Sequence, residues 1–435
     1  MPEAVIGFSK LSKEQKIDWL VSQYLSDSSE ARSTLKQYWN SDDKLQTLHD
    51  EFIENSISNY YLPYGIAPNF LINERLMTLP MVIEESSVVA AASNAAKFWL
   101  DKGGFKAEVI STVKAGQIHI NYPGPTDRME QFFQEHKMSL IDSVGEIQRN
   151  MKKRGGGLID LELKDSTAAL AGYYQLHATF QTKDAMGANF INSCLEQIAS
   201  TLRVLAKDWD GFGVQRPEVV MSILSNYVPN CLVKASVSCP LEQLANNGLS
   251  GDEFARKMVQ AVQIAEVEVS RAVTHNKGIM NGVDALVLAT GNDFRAVEAG
   301  VHAFAARSGR YTSLTHAEVV DGQFKFWIEL PLALGTVGGL TSLHPLVRLS
   351  LDVLGKPSAQ ELMEIVAVAG LAQNFAALRS LVTIGIQQGH MKMHLMNILN
   401  QLGASPEEKE LAIEHFKKEA VSFQAASEFI SRNRE

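Results

Sequence analysis

Four polar islands in this 435-residue chain stand in apolar, small-residue stretches where a core would ordinarily carry hydrophobes alone. They are Glu84-Glu85 in LPMVIEESSVVAAAS, Lys277 in THNKGIMNG, Asp293 in LATGNDFRAVEAG and His390 in IGIQQGHMKMH. A carboxylate pair, a lysine, an aspartate and a histidine, beside glycines that admit a ligand, are the parts of an acid–base enzyme. Three of them have a plainer reading too. A Glu pair before a helix offsets its dipole, most lysines sit at the surface, and an Asp after Gly-Asn usually caps a turn or helix. Asn276, Gly278, Ile279 and Met280 around Lys277 argue for a lysine withdrawn from solvent.

The surrounding sequence must fold so as to present these groups. Ser12-Lys13-Glu14-Gln15 has the form of a capping box, and Ile17, Leu20, Val21 and Tyr24 follow at helical spacing, so the chain opens on an amphipathic helix. Between Ser86 and Lys102, small apolar residues with serines in front and Gly103-Gly104 behind describe a buried helix whose N-terminus carries Glu84 and Glu85. From about Ala107 to Ser222 the texture changes. VISTVKAGQIHINY, GLIDLELKD and AALAGYYQLHATFQT read as strands, and Met129–Lys152 and Ala188–Trp209 as helices, an α+β module of roughly a hundred residues. Gly251 to Arg379 returns to Ala- and Gly-rich helices. Past Gly403, Leu411, Ala412, Phe416, Val421, Phe429 and Ile430 make the apolar stripe of one or two surface helices.

A chain of this length should form two or three domains, because single cores stop growing near ~250–300 residues. The net charge of −9, with Lys and Arg scattered, argues against a nucleic-acid binder, which needs a basic face. Cys194, Cys231 and Cys239 are too few for a disulfide framework and lack the CxxC spacing of a structural zinc site, which suits a reducing cytoplasm. The first twenty residues hold no continuous apolar run, and stretches such as Glu364–Gly370 fall short of the ~18 residues of a membrane span, so no membrane association is expected. His390 and His394 form an HxxxH pair without the further ligand that zinc would need, so no metal is expected. No GxGxxG follows a strand, no GxxxxGK[ST] occurs, and GTVGGL at Gly335 has the wrong spacing for either. A dinucleotide would need another scaffold.

In order along the chain, PMVIEESSVVAAAS, DAMGANFIN, THNKGIMNG, ATGNDFRAVEAG and GIQQGHM resemble the 3-hydroxy-3-methylglutaryl-CoA (HMG-CoA) reductases, and among them the bacterial class II type. The likeness runs from about Phe8 to the C-terminal helices. It implies a four-electron reduction of HMG-CoA to mevalonate and CoA through a hemithioacetal and an aldehyde, with two nicotinamide cofactors used in succession, as the mevalonate pathway to isoprenoids requires. It also implies four catalytic residues. Lys277 matches the family's oxyanion lysine, a contact worth about 3–4 kcal/mol. Glu85 matches the proton donor to the aldehyde, and Asp293 the aspartate lying between lysine and glutamate. His390 matches the histidine that protonates the departing CoA thiolate, for which an imidazole pKa near ~6.5 is suited. Burial would raise the Glu85 pKa, whereas a helix N-terminus and Lys277 would lower it; the sequence leaves that balance open.

Asp184, Met186, Gly187 and Asn189 fall in DAMGAN, which matches the family's dinucleotide-binding loop; taken alone it is an ordinary turn and helix start. Where NADH-using members carry an aspartate for the adenosine ribose, this chain has Gln148, followed by Arg149, Lys152, Lys153 and Arg154, so the resemblance implies NADPH rather than NADH. A solvated, charged helix face is the other reading of that run. Arg271 resembles the arginine that holds the glutaryl carboxylate. Ser87, Asn281 and Gln373 are further candidates for the acyl group, and Lys10 stands where a basic residue meets the CoA phosphates. The implied fold is α+β: a large helical α+β domain from 1–110 and 222–385, an inserted small ferredoxin-like cofactor domain at 111–221, and a C-terminal helical flap at 386–435. The implied assembly is a homodimer or higher homo-oligomer with active sites at the subunit interface. Two rivals are the same fold oxidising mevalonate with NADH, against which Gln148 speaks, and a CoA-thioester-binding homologue without redox activity. The joint presence of Glu85, Lys277, Asp293 and His390 speaks against the second.

Overall fold

The computed structural model describes residues 4–25, 28–246, 248–383, 395–416, 419 and 421–434. The chain divides into two compact units, Met1–Pro63 and Tyr64–Glu435. The first holds α1 (Lys13–Tyr24), α2 (Ser28–Gln37) and α3 (Asp43–Asp50). Its capping box forms as the sequence predicts, with the Ser12 hydroxyl accepting from the Gln15 amide and the Gln15 side chain accepting from the Ser12 amide. Ile17 and Val21 are buried, but Tyr24 is exposed against Trp19. Lys13 ties α1 to α3 through Asp50 at 2.8 Å. Lys10 is exposed at the end of the short turn Phe8–Lys10 within this unit.

The second unit mixes helix and sheet. It begins with the ribbon β1 (Tyr64–Ile72) and β2 (Arg75–Val82), then α4 (Val88–Leu100) and β3 (Lys106–Val109). Next come β4 (Lys114–Asn121), α5 (Thr126–Asp142), α6 (Arg149–Lys153), β5 (Gly157–Asp165), β6 (Tyr173–Gln181), α7 (Ala188–Asp208) and β7 (Glu218–Leu224). These four strands form one antiparallel sheet in the order β5-β6-β4-β7, with α5 and α7 over a core that includes Phe132, Leu176, Phe180 and Leu195. The helical pattern read across Met129–Lys152 is two helices, because the chain turns at Gly145.

Beyond them lie β8 (Leu232–Pro240), α8 (Gly251–Val267), α9 (Val269–Ala289), α10 (Phe294–Ala305), β9 (Thr315–Val320) and β10 (Gln323–Pro331). Then follow α11 (Leu340–Leu343), α12 (Pro345–Val353) and α13 (Ala359–Val382). A second antiparallel sheet, β3-β8-β10-β9, corrects the all-helical reading of Gly251–Arg379. Its inner residues Phe324, Phe326, Ile328 and Leu330 alternate along QFKFWIELP, as a sheet with one buried face requires. The C-terminal 395–401 segment, α14 (Pro406–His415) and α15 (Phe423–Arg434) share a small separate core of Leu395, Leu399, Ala412, Phe416 and Ile430.

Helix α13 organises the main core. Among the described residues it is the one helix whose length and composition would let it cross a membrane, which corrects the expectation that every apolar stretch is too short. Most of it is buried in protein instead. Its Phe375 packs against the rings of Phe98, Trp99, Phe254 and Phe326, a cluster whose truncation to Ala would cost about 3–5 kcal/mol. α13 lies close against α9 because Gly282 faces it without a side chain. A methyl group there would fall 2.5 Å from the Ala369 carbonyl oxygen.

Candidate active site

Helices α4, α9 and α13 converge on a cleft of about 460 Å³. Small residues on all three make the room: Ala90 and Ala91, Gly278, and Ala376 and Ala377. Its lining includes Glu85, Ser87, Arg271, Lys277, Asn281 and Gln373, six of the residues singled out in the sequence. A larger, more open groove of about 760 Å³ between α8 and β9 contains none of them.

The THNKG block shows how α9 sorts its polar residues. His275 and Asn276 face inward and are fixed there. The His275 ring meets Thr315 Oγ1 at 2.5 Å and Ser313 Oγ at 3.0 Å, and burial pushes its pKa down to about 3, so it is neutral. Asn276 donates to the Thr312 carbonyl and accepts from the Leu314 amide. Lys277 falls on the opposite side of the helix, and its ammonium donates directly to the Glu85 carboxylate. The expected withdrawal from solvent is not found: the side chains of Lys277 and Glu85 are 59% and 41% exposed. Just beyond Glu85, Ser87, the residue before α4, holds φ at +74°, a conformation that costs a non-glycine residue about 1–3 kcal/mol and recurs at functional turns.

Two guanidinium groups reach the cleft. Arg271 is half-buried on α9, and desolvation lowers its pKa. Arg379, near the end of α13, was not anticipated. It lies over the rings of Phe98 and Phe375 at 5.3 and 5.8 Å, and burial lowers its pKa as well.

Asp293 is elsewhere. It is expected between Lys277 and Glu85, but those two meet each other, and Asp293 caps α10 by accepting from the amides of Arg295 and Ala296. It does not line the cleft. Its surroundings lie by the DAMGAN loop instead: Asn292 Oδ1 accepts from the Gly335 amide at 2.8 Å, and Ala296 and Val297 share a small cavity with Met186.

That loop is strapped down by GTVGGL, the glycine run that fits no nucleotide fingerprint. The amides of Thr336 and Val337 donate to the Asp184 carbonyl, and Gly335 packs so closely that a methyl group would fall 2.4 Å from the Met186 amide nitrogen. The Asp184 carboxylate accepts from the Ala359 amide at the start of α13. Met186 is half-buried in the cavity beside α10. Gly187 holds φ at +95°, with Thr182 Cγ2 2.5 Å from where a Cβ would stand, and α7 begins immediately after it without a side-chain cap. Its first amides have no partner within the helix, and Asn189 is exposed on that first turn. A glycine cradle before an uncapped helix N-terminus fits a dinucleotide pyrophosphate.

Gln148 behaves differently from its sequence reading. It is buried, and its Oε1 accepts from the Leu158 amide at 3.1 Å, so it braces the glycine turn rather than facing a ribose. Arg149 pairs with Glu146, while Lys152, Lys153 and Arg154 are exposed around the turn. His390 and its neighbour His394 lie outside the described residues, as the chain runs on from α13. Among the described residues no group of three metal-ligating side chains is found.

The family model for hydroxymethylglutaryl-coenzyme A reductase matches residues 14–395. The chain belongs to the hydroxymethylglutaryl-coenzyme A reductase family. It is 35% identical, over 436 aligned positions covering 100% of this chain and 95% of the relative, to the 3-hydroxy-3-methylglutaryl-coenzyme A reductase of Archaeoglobus fulgidus. A solved structure of the reductase from Streptococcus pneumoniae is 35% identical with a TM-score of 0.73, covering 99% of this chain and 100% of that one. A class II reductase structure from the same organism, bound to NADPH in open conformations, is 37% identical with a TM-score of 0.72, covering 88% of this chain and 100% of that one. As a member of this reductase family the chain is an oxidoreductase acting on HMG-CoA, in the step that gives mevalonate.

Proposed function

We propose that the cleft between α4, α9 and α13 binds the acyl group of HMG-CoA and that the DAMGAN loop binds NADPH. The observation that carries this reading is the contact of Lys277 with Glu85 at the mouth of a cleft also lined by Arg271. The cofactor supplies hydride. This chain's residues do the rest. Lys277 holds a positive charge where the thioester oxygen becomes an oxyanion, Glu85 in its protonated form gives a proton to the aldehyde oxygen, and Arg271 grips the glutaryl carboxylate in a two-pronged contact. Ser87, Asn281 and Gln373 orient the acyl chain, His390 protonates the CoA thiolate, and Lys10 meets the CoA phosphates.

The position of Asp293 beside the loop supports an active site shared between two subunits of a homodimer, in which Asp293 and the loop of one chain complete the cleft of the other. The β–α–β–β–α–β run with sheet order β5-β6-β4-β7, the short α6 aside, is the ferredoxin-like pattern, and supports reading 111–221 as an inserted cofactor domain. It lies between the two parts of a large domain, 1–110 and 222–385, with 386–435 as a flap. Lys152, Lys153 and Arg154, exposed around the glycine turn, favour the 2′-phosphate of NADPH over NADH. The class II relative bound to NADPH supports the same preference. Expression in a reducing cytoplasm suits three buried free thiols.

The test is the oxidation of NADPH and, separately, NADH by the purified protein with HMG-CoA, followed by loss of reduced-nicotinamide absorbance. Turnover with NADPH preferred is the expected result. Preference for NADH overturns the cofactor assignment, and no turnover by a folded dimer overturns the function.

A further inference from the structure

Lys114, on β4, is 4% exposed. Burying an ammonium costs several kcal/mol unless an anion compensates it. Among the described residues none does: Lys114 makes no ion pair with a carboxylate. Its Nζ donates to Thr182 Oγ1 at 2.6 Å and to the Ala185 carbonyl at 2.8 Å, both neutral. The titratable neighbour that bears on it is Cys231, whose own burial pushes its pKa up to about 11 and keeps it a neutral thiol.

The two acceptors are parts of the DAMGAN turn. Thr182 Oγ1 itself donates to the Ala185 carbonyl at 2.7 Å, the Ala185 amide donates back to the Thr182 carbonyl, and the Thr182 methyl group fills the space beside Gly187. The Ala185 carbonyl is thus drawn inward from two sides. The uncapped amides at the start of α7 follow directly after this turn. A buried positive charge, an inward carbonyl and a free helix N-terminus add in the same sense, and an anion bound at the turn feels all three.

Resting on the assignment of this loop to NADPH, we propose that Lys114 is a positioning residue of the cofactor site. From beneath, it fixes Ala185 and Thr182 and supplies the buried charge that the loop presents to the dinucleotide pyrophosphate. Burial lowers its pKa, which agrees with an ammonium lacking its counter-ion.

The test compares the parent protein with Lys114→Gln, which keeps an N–H donor but loses the charge. NADPH binding is read by its fluorescence, 2′-AMP binding by competition, and the KM for HMG-CoA by steady-state kinetics. Lys114→Gln is expected to weaken NADPH about tenfold while leaving 2′-AMP, which has no pyrophosphate, and the KM for HMG-CoA within about twofold. Unchanged NADPH binding overturns the proposal, as does an equal loss of NADPH and 2′-AMP, which would mark a purely structural lysine. A parent protein that binds no NADPH refutes the loop assignment rather than the lysine's part in it. If Lys114→Gln does not fold, Thr182→Val removes the hydroxyl at similar volume; a loss of NADPH affinity about threefold with 2′-AMP unchanged supports the proposal, and no loss overturns it.

Discussion

Lys277 on α9 and Glu85 ahead of α4 touch directly, ammonium to carboxylate, at the mouth of one cleft. Exposed as it is, the pair contributes little to stability. Lys277→Ala is therefore expected to lower kcat for thioester reduction by about 10²–10³-fold while thermal unfolding stays as in the parent. Turnover near the parent rate would remove the oxyanion assignment.

Gly335 is the tightest point of the strap over the cofactor loop. A methyl group in Gly335→Ala meets the Met186 amide nitrogen at 2.4 Å, and the loop must move to relieve it. Overpacking of this kind costs about 1–3 kcal/mol of stability, and the displaced loop is expected to raise the KM for NADPH roughly tenfold. The KM for HMG-CoA is expected to stay unchanged; if it rises equally, the strap is not specific to the cofactor site.

Arg271 offers a guanidinium fork to the cleft, and a lysine cannot copy a two-pronged contact with a carboxylate. Arg271→Lys should raise the KM for HMG-CoA about tenfold with little change in the KM for NADPH. The reverse pattern would move Arg271 to the cofactor.

Gln148 is buried with its carbonyl on the Leu158 amide. Gln148→Asp shortens that brace and buries a charge, so it is expected to lower the melting temperature without shifting the preference between NADPH and NADH. Replacing exposed Lys152 and Lys153 by Gln should instead weaken NADPH and spare NADH. A clean switch to NADH in Gln148→Asp would show that its side chain reaches the ribose.

Asp284 on α9 is raised to about 9, first by burial and then by its contact with Glu298 of α10. Glu298, held by His302 at 2.7 Å, is pushed the other way and carries the charge. Between about pH 4 and pH 9 the folded Asp284 keeps a proton that the unfolded chain has lost, so this site makes stability fall as pH rises through that window. Asp284→Asn copies the protonated carboxyl and removes the slope. Its melting temperature should decline less than the parent's between about pH 5 and pH 9; parallel declines would refute the shared proton.

Much of the site could be read from the sequence because its parts are local. The serines before α4, the small residues along it and the block around Lys277 belong to single helices, and the cleft needs only that these helices meet. The exposure of Lys277 is also legible in the helical phase, since spacing sets 277 opposite 275, 276, 279 and 280, whereas the apolar composition around it points the other way. Gly335 was out of reach: its partner Met186 is far away in sequence, and only the three-dimensional register joins them. In sequence Arg379 has nothing to set it apart from an ordinary cation at a helix C-terminus. The cap made by Asp293 was legible, but its distance from Lys277 depends on where α10 lies.

Helix α13 begins at the Asp184 carboxylate of the loop and lines the substrate cleft only from Gln373 to Leu381. At 1.5 Å per residue, those positions are ~21 to ~33 Å along the rod from its first turn. A pyrophosphate held at the loop, as proposed, sits at one end of this rod, and the cleft that Lys277 lines lies near the other end of the same chain. With the active site shared between two subunits as proposed, one subunit alone fills both of its sites and reduces nothing. Specific activity should therefore collapse on dilution through the dimer dissociation constant, even with HMG-CoA and NADPH both saturating, and mixing subunits with a disabled cleft and subunits with a disabled loop should restore it.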